Sequence, residues 1–549
     1  MIMRTVLSFC VLLLIHGMYA QAPSEEWFRT FDGTGTAFDE IRYVRLDAQQ
    51  NVIVTGRSNS GMDSYLDVVT RMYDPAGDVL WTHTWNNEDL GFDDFPLGME
   101  IAPNGNIVII GNSKHSGDSQ SNNADIFIIA LSPAGDLLWS DHFSGTGHTS
   151  GGGWPIDISN AAGIAMTASG DIYVTGLTTG NSSTEIQQMV LAKYSSSGTQ
   201  LWMETFDNST VWGYSDYGTG VDVDAAGNAY VCGVTTLENS GRDPAVWKID
   251  GNGQFQWIAT YSGPINNTSE QFDGILVDDN GNSYAFGTNS MSRYVVRKHD
   301  PAGVEQWTYV LDTIVPGTSA SFSGSDKQLA FDNDGNIIFT AGMDSRIGVA
   351  KFTPSGDLLW VSYHGGDTQF NNEAYHVAVD GMNNIYVAGA ISNNGTSYDL
   401  GAFKIDPNGD QLWGVWHNAP ANGNDKGHSM AIGNDGAIYV GGLGTGYTVS
   451  NGDYLLVKYM QGPVGVGETD GIYGRLYPNP AHGSVTLDIG ASIARTIELA
   501  DAQGRMIRSF GTNDHTGRIQ LSLEGIAAGG YFLRVHTEHG PVVSRLMVQ

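Results

Sequence analysis

The sequence predicts an all-β protein: an eight-bladed β-propeller of four-stranded blades, closed by its N-terminal strand and followed by a small immunoglobulin-like β-sandwich. Three observations predict it. Tryptophans recur at intervals of 50 to 63 residues, at Trp27, Trp81, Trp139, Trp202, Trp257, Trp307, Trp360 and Trp413. Between them the same short segments, rich in Val, Ile and Tyr, return in the same order with the period-two alternation of strands. The punctuation "DxxGN" and "DPxGD" separates these segments, and Asp, Asn and Gly suit tight hairpins there. Four short strands per unit, repeated many times, are the mark of a propeller.

Composition and charge narrow the class further. The chain has 549 residues, 72 of them Gly, and only 15% are charged, which suits a turn-rich β protein. Lys and Arg total 26 against 59 Asp and Glu, a formal net charge of -33. Such a chain is repelled by nucleic acid and anionic lipid, so neither is expected as a partner. From Gly474 onward seven Arg stand against six Asp and Glu, with no Lys. The acidity therefore belongs to the region before it, and two domains with different surfaces follow.

Residues 1–20 read as a secretory signal peptide. Arg4 supplies the positive start, Val6 to Ile15 the apolar stretch, and cleavage is expected after Ala20. The stretch is too short to cross a bilayer, and no other apolar run is longer, so no membrane span is expected. Of the two cysteines, Cys10 lies in the leader; Cys232, in "NAYVCGV", is expected to be a small core residue.

Residues 21–460 hold the propeller. It begins with "EEWFRTFDG" (Glu25 to Gly33), which resembles "DLLWSDHFSG" and "DLLWVSYHGG", segments that each close a longer unit. Sets of first, second and third strands number eight. The last ends in "DYLLVKYM" (Asp453 to Met460) with no tryptophan strand behind it, and Trp27 stands alone in front. The Trp27 strand is therefore expected to complete the last blade, which leaves no open edge in the ring. The third and sixth units are the weakest matches. The pattern "vDxxGNxYVtG…vxKydpxGxxlW" resembles the bacterial family called seven-bladed propeller repeats, over residues 24 to 460. That resemblance implies a fold and no activity, and this chain departs from the family's name by one blade.

Residues 461–473 are a Gly-rich polar linker. In 474–549, "LYPNPAHGSVTLDI" and further short segments give about seven strands, enough for a small sandwich. "YPNPA" (Tyr477 to Ala481), "DAQGR" (Asp501 to Arg505), "GGYFLRV" (Gly529 to Val535) and "RLMVQ" (Arg545 to Gln549) strongly resemble the type A sorting domain of the type IX secretion system of Bacteroidota. The resemblance implies a partnership between residues 474–549 and the secretion machinery. It also implies export, removal of this domain, and release or attachment at the outer cell surface.

Chemistry is sparse. There is no HExxH, GxSxG, P-loop or paired Cys motif, and no cofactor or metal is expected. "DNDG" (Asp332 to Gly335) falls at the repeat's hairpin position and reads as a plain turn. One acidic position recurs eight residues ahead of the hairpin Asp: Asp39, Asp94, Asp216, Glu270 and Asp425. It precedes the innermost strand, at the channel mouth. These carboxylates either bond turn amides or form a ring that concentrates cations. A basic position also recurs, at Arg71, Lys193, Lys248, Lys298, Lys351, Lys404 and Lys458, and is expected to be structural. Long variable loops, 112–125 and 144–163, break the pattern, and function tends to reside in such loops. Trp154, Trp212 and Tyr214 are candidates there to stack on a sugar or peptide, or to fill a gap. The expected role is binding or adhesion with a glycan or protein ligand. The rivals are a polysaccharide lyase or glycosidase, needing paired carboxylates in the channel, and a structural surface-layer component.

Overall fold

A computed structural model describes residues 22–34, 38–59, 65–87, 93–114, 124–143, 162–179, 187–206, 216–237, 241–262, 268–289, 291, 293–311, 327–343, 345–365, 372–392, 397–448, 452–461, 475–489, 494–500, 506–515, 517–537 and 540–549. The predicted signal peptide and most of the predicted linker lie outside these residues. The chain divides into two compact units, Ala22–Met460 and Gln461–Gln549. Among the described residues no helix is long and apolar enough to cross a membrane.

Among the described residues the first unit has eight antiparallel sheets, seven of them built on four neighbouring strands in sequence order. The innermost strands are Glu40–Leu46, Asp94–Ile101, Ala162–Met166, Tyr217–Val223, Gln271–Val277, Leu329–Phe331, Glu373–Val379 and Lys426–Ile432. Those of the third and sixth sheets are the shortest, where the repeat is weakest. The two-residue strand Thr268–Ser269 pairs in parallel with the third strand of the fourth sheet. Innermost strands of adjacent sheets touch all the way round, and Lys426–Ile432 touches Glu40–Leu46. The eighth sheet takes its outermost strand from the start of the chain: Ser24–Phe31 runs antiparallel to Asp453–Met460, with Trp27 opposite Lys458 and Phe31 opposite Tyr454. The ring is a closed propeller.

The repeated residues explain how sheet holds sheet. Each "DPxGD"-type hairpin turns on a glycine with positive φ, such as Gly198 at 84° and Gly303 at 83°. The preceding sheet's indole lies against that glycine: a Cβ on Gly198 would stand 2.3 Å from Trp139, and one on Gly303 2.6 Å from Trp257. Glycine is thus required twice over, by the turn and by the ring. The indole N–H then donates to a carbonyl in the same hairpin: Trp257 to Pro301 at 3.0 Å, Trp307 to Pro354 at 3.1 Å, Trp360 to Pro407 at 3.1 Å. Trp27 does the same across the closure, against Gly77 and to Pro75 at 3.3 Å.

The recurrent lysine converges on the same carbonyl. Lys248 reaches Pro301 at 3.0 Å, Lys298 reaches Pro354 at 2.9 Å and Lys458 reaches Pro75 at 2.9 Å. Each ammonium lies over a tyrosine of its own sheet, Lys248 over Tyr230 at 4.8 Å and Lys298 over Tyr284 at 4.9 Å. Some also pair with the sheet's hairpin carboxylate: Lys193 with Asp171 at 3.0 Å, Lys351 with Asp332 at 2.8 Å. Arg71 does not share this register. Met72 stands opposite Trp81 where six other sheets place lysine and the second places Ala130, and Arg71 lies over the Phe31 ring at 4.5 Å. A one-residue offset moves a side chain to the other face of its strand, so the basic series loses that member.

"DNDG" forms a turn: Asp332 accepts from the amides of Asp334 at 2.9 Å and Asn336 at 2.8 Å, and its remaining oxygen meets Lys351. Cys232 is fully buried, and burial pushes its thiol up to about 12.

The second unit has seven strands ordered Met506–His515, Ala494–Ala500, Gly529–Thr537, Gly540–Val548, Arg475–His482, Ser484–Asp488, Arg518–Ser522. Arg475–His482 changes partner midway, from Ser484–Asp488 to a parallel bridge between Ala481 and Val548. One core, including Val485, Leu487, Ile497, Leu521, Leu533 and Leu546, is shared by the strands on both sides of that switch.

Candidate functional site: the propeller channel

The five recurrent carboxylates are buried. Asp39, Asp216 and Asp425 are wholly inaccessible, and Asp94 and Glu270 nearly so. Four of them, Asp39, Asp94, Asp216 and Asp425, act as clasps at the entry to the innermost strand. Asp39 accepts from the amides of Gly33 and Asn59, both at 3.0 Å. Asp94 accepts from the amide of Asn87 at 3.0 Å and the hydroxyl of Ser113 at 2.5 Å. Asp425 accepts from the amides of Ala419 at 2.7 Å and Thr445 at 2.8 Å, and Asp216 from that of Thr236 at 2.9 Å. In each of the first three cases one bond goes to the chain arriving from the previous sheet and the other to the end of the second strand. Burial pushes the Asp39 carboxyl up to about 6 and Asp94 to about 7, against the bonds that pull both down. Asp32, Asp39 and Asp453 place ligand atoms within 4.8 Å of one another at the closure. Asp39 is already committed to its two amides, and Asp453 accepts from the Thr448 hydroxyl at 2.6 Å.

A different position faces the channel. In six sheets the innermost strand carries a β-bulge five residues ahead of the hairpin position, and the extra residue is Arg42, Leu97, Thr219, Asp273, Tyr375 or His428. The corresponding residues of the third and sixth sheets are Ala162 and Lys327. A bulge re-aims a side chain while leaving the rest of the ladder in register. No two of the eight residues are alike, although the flanking framework repeats.

The channel has two regions. On the first, seventh and eighth sheets it is filled by charged and aromatic groups. Glu40 meets Arg57 at 2.8 Å and Arg42 at 3.6 Å, with His428 at 3.8 Å. Burial would raise the Glu40 carboxyl, but the charges of Arg42, His428, Arg57 and Lys426 outweigh it and hold it at about 2. Burial pushes His428 down to about 4, so its ring is neutral at physiological pH, and it stands edge-on to Tyr375 at 5.1 Å. Glu373 is matched by Lys426 at 2.8 Å.

On the second to sixth sheets a cavity of about 460 Å³ remains, lined by Leu97, Thr219, Asp222, Asp273 and Lys327 among others. This is the size of a small-ligand site. Glu100 on its wall is paired twice, with Lys327 at 3.1 Å and Arg45 at 3.3 Å. Asp222 accepts from the amides of Val277 at 2.7 Å and Val223 at 2.8 Å, and burial pushes it to about 6. Asp273 has less. One of its oxygens accepts from the Gln271 amide, the other takes no hydrogen bond, and burial pushes the carboxyl to about 8.

Of the residues singled out in the sequence, Trp154, Trp212 and Tyr214 lie outside the described residues, and the five recurrent carboxylates are buried, with Asp39, Asp94, Asp216 and Asp425 bonded to neighbouring turns. The cavity residues Asp222, Asp273 and Lys327 were missed. Their signal was available: a repeat that keeps its framework and varies one position.

Residues 475–549 match the family of secretion system C-terminal sorting domains. This part of the chain is thus similar to sorting domains, a likeness that implies export by the type IX secretion system. No curated protein matches the chain significantly. Solved structures with similar folds include PorZ, a surface component of the type IX secretion system of Porphyromonas gingivalis, at 13% identity and a TM-score of 0.37, covering 93% of this chain and 74% of that one. Sqt1 from Chaetomium thermophilum is 10% identical with a TM-score of 0.48, covering 80% and 100%. The β-propeller domain of the Trilobed protease from Pyrococcus furiosus is 9% identical with a TM-score of 0.36, covering 68% and 98%. Likenesses this distant say nothing of activity or ligand.

Proposed function

We propose that the protein is a binding propeller, carried out of the cell by its sorting domain and released or held at the cell surface after the signal peptide is cleaved. The ligand is a group of glycan or protein origin that enters the channel. One observation carries this reading: the bulged position differs in every sheet while its surroundings repeat. A position whose residue the framework lets vary, and which a bulge re-aims in six of the sheets, is where recognition can be encoded. Trp154, Trp212 and Tyr214, on loops that break the repeat, would extend the contact. Glycan and peptide arrays probed with the purified protein test this. Binding that is lost when Thr219→Trp fills the cavity supports it; a Thr219→Trp protein that binds unchanged overturns the channel as the site.

Export is tested separately. A chain ending at Met460 should fold and stay inside the cell envelope, and normal surface display of that chain would overturn the sorting role of 475–549.

A hydrolytic or lyase reading has one observation in its favour. Asp222 and Asp273 line one cavity with carboxyls displaced to different extents, about 6 and about 8. Unequal carboxyls are what acid–base chemistry on polysaccharides uses. Release of reducing or unsaturated ends from a polysaccharide panel, abolished by Asp273→Asn, would favour it over simple binding.

A further inference from the structure

Every other charged carboxyl of the channel has a compensating partner. Glu40 has Arg57 and Arg42, Glu373 has Lys426, Glu100 has Lys327 and Arg45, and Asp222 has two backbone amides. Among the described carboxyls of the channel, Asp273 keeps a buried oxygen with neither a hydrogen bond nor an ion pair, on the wall of a cavity. A buried acceptor left unmade costs about 1–3 kcal/mol, more when charged, and a bound donor relieves it.

We infer that the channel cavity binds a small ligand through a primary ammonium group, with Asp273 as its carboxylate partner. The inference rests on the binding role proposed above and adds the ligand's chemistry. Two further observations agree on a cation. The protein's formal charge of -33 draws cations inward and repels anions. Lys327, the cavity's own ammonium, is already engaged by Glu100. An amino sugar or a lysine side chain would bring the same group.

The binding is linked to a proton. An ammonium stabilises the ionised form of Asp273, so the carboxyl releases its proton as the ligand enters. The other titratable groups around it do not imitate this signal. Burial raises the Tyr217 and Tyr294 phenols on the adjoining strands and drives the Cys232 thiol to about 12. Asp222, pushed to about 6, is ionised above neutrality.

Calorimetry on the full chain tests the inference with 6-amino-6-deoxyglucose against glucose, and Nα-acetyl-lysine against Nα-acetylnorleucine, at pH 6.5 and 8.5. The amine of at least one pair should bind at least tenfold more tightly than its partner. Its affinity should rise between the two pH values, with proton release measurable in buffers of different ionisation enthalpy. Which pair responds tells a sugar-borne from a side-chain ammonium. Asp273→Asn should abolish both the preference and the proton release. Leu97→Lys, which sets an ammonium of the chain's own in the cavity, should do likewise and serves if the first variant does not fold. Equal affinity within both pairs, affinity that falls with pH, or an unaltered Asp273→Asn overturns the inference. If an array ligand binds Asp273→Asn at full strength, the binding role stands and only the ammonium assignment falls.

Discussion

Trp257 and Asp273 stand sixteen residues apart in one chain of repeats, and they obey different rules. Trp257 belongs to the rim. It lies on the glycine of the next hairpin, donates to Pro301, and has counterparts in sheet after sheet that do the same. Asp273 belongs to the channel. Its counterparts are Arg42, Leu97, Ala162, Thr219, Lys327, Tyr375 and His428, and no one interaction is common to them all, although Thr219 and His428 each bond a carbonyl of the next sheet, at Phe272 and Ile41. The rim must fit each sheet to the next at a constant angle, so any departure opens the ring. The channel position carries no such constraint. Regularity in this protein records what the fold requires, and irregularity on a regular frame records what the fold leaves open.

The comparison breaks most severely at the closure. Deleting Ser24–Phe31 removes the partner strand of Asp453–Met460 and the indole that sits on Gly77. The eighth sheet would then expose an edge rich in buried Tyr, Leu and Val. The expected outcome is loss of cooperative unfolding and aggregation on size-exclusion chromatography. A monomeric, cooperatively melting product would show that the rim does not depend on closure. Next in size is Lys351→Met. This ammonium is buried against Asp332, also buried, and its removal strands a carboxylate that keeps only its turn bonds. Denaturant titration should show a loss of about 2–3 kcal/mol. Gly198→Ala should cost about 2 kcal/mol, since the residue must hold a positive φ and displace the Trp139 ring.

The rim was legible in the sequence because its residues serve one another across a fixed spacing. Eight tryptophans, the hairpin glycines and the lone Trp27 in front gave the sheet count and the closure before any coordinates. Arg71 was misplaced because one residue of offset within a strand is invisible to spacing alone. The clasps were legible as a recurring acid, yet their burial was not, since a carboxylate bonded to amides and one facing water share the same letter. The cavity stayed hidden for a stricter reason. Asp273 is set apart by what it lacks, a partner for its second oxygen, and a missing hydrogen bond leaves no pattern in a chain. Glu100 and Lys327, paired across 227 residues, lie equally beyond local reading.

A clasp also predicts a pH response. The Asp94 carboxyl is raised by burial from 3.8 to about 7. Between those values the folded chain holds a proton that the unfolded chain has released, so this group makes stability fall as pH rises through that window. The slope is on the order of 1 kcal/mol per pH unit at its steepest. Asp94→Asn should remove that part of the slope in denaturant titrations from pH 4 to 8. An unchanged slope would mean that Asp94 is ionised in the folded protein and that its bonds to Asn87 and Ser113 prevail over burial.

The smallest expected effect sharpens the comparison most, because it repeats the Lys351 substitution in the channel. Lys327→Met removes an ammonium that is about half exposed and paired with Glu100 at 3.1 Å. Exposed pairs contribute about 0–1 kcal/mol, and Glu100 retains Arg45 at 3.3 Å, so no carboxylate is stranded. Stability should change by less than about 0.5 kcal/mol. The same residue type replaced by the same side chain thus separates rim from channel by about 2 kcal/mol in one denaturant series. Binding should move the other way. Without Lys327 the cavity loses a positive charge, and an ammonium ligand should bind more tightly, by a few-fold at low salt and less as screening grows. A destabilisation as large as that of Lys351→Met would place Lys327 in the framework, and the variable position would then be structural in at least one sheet.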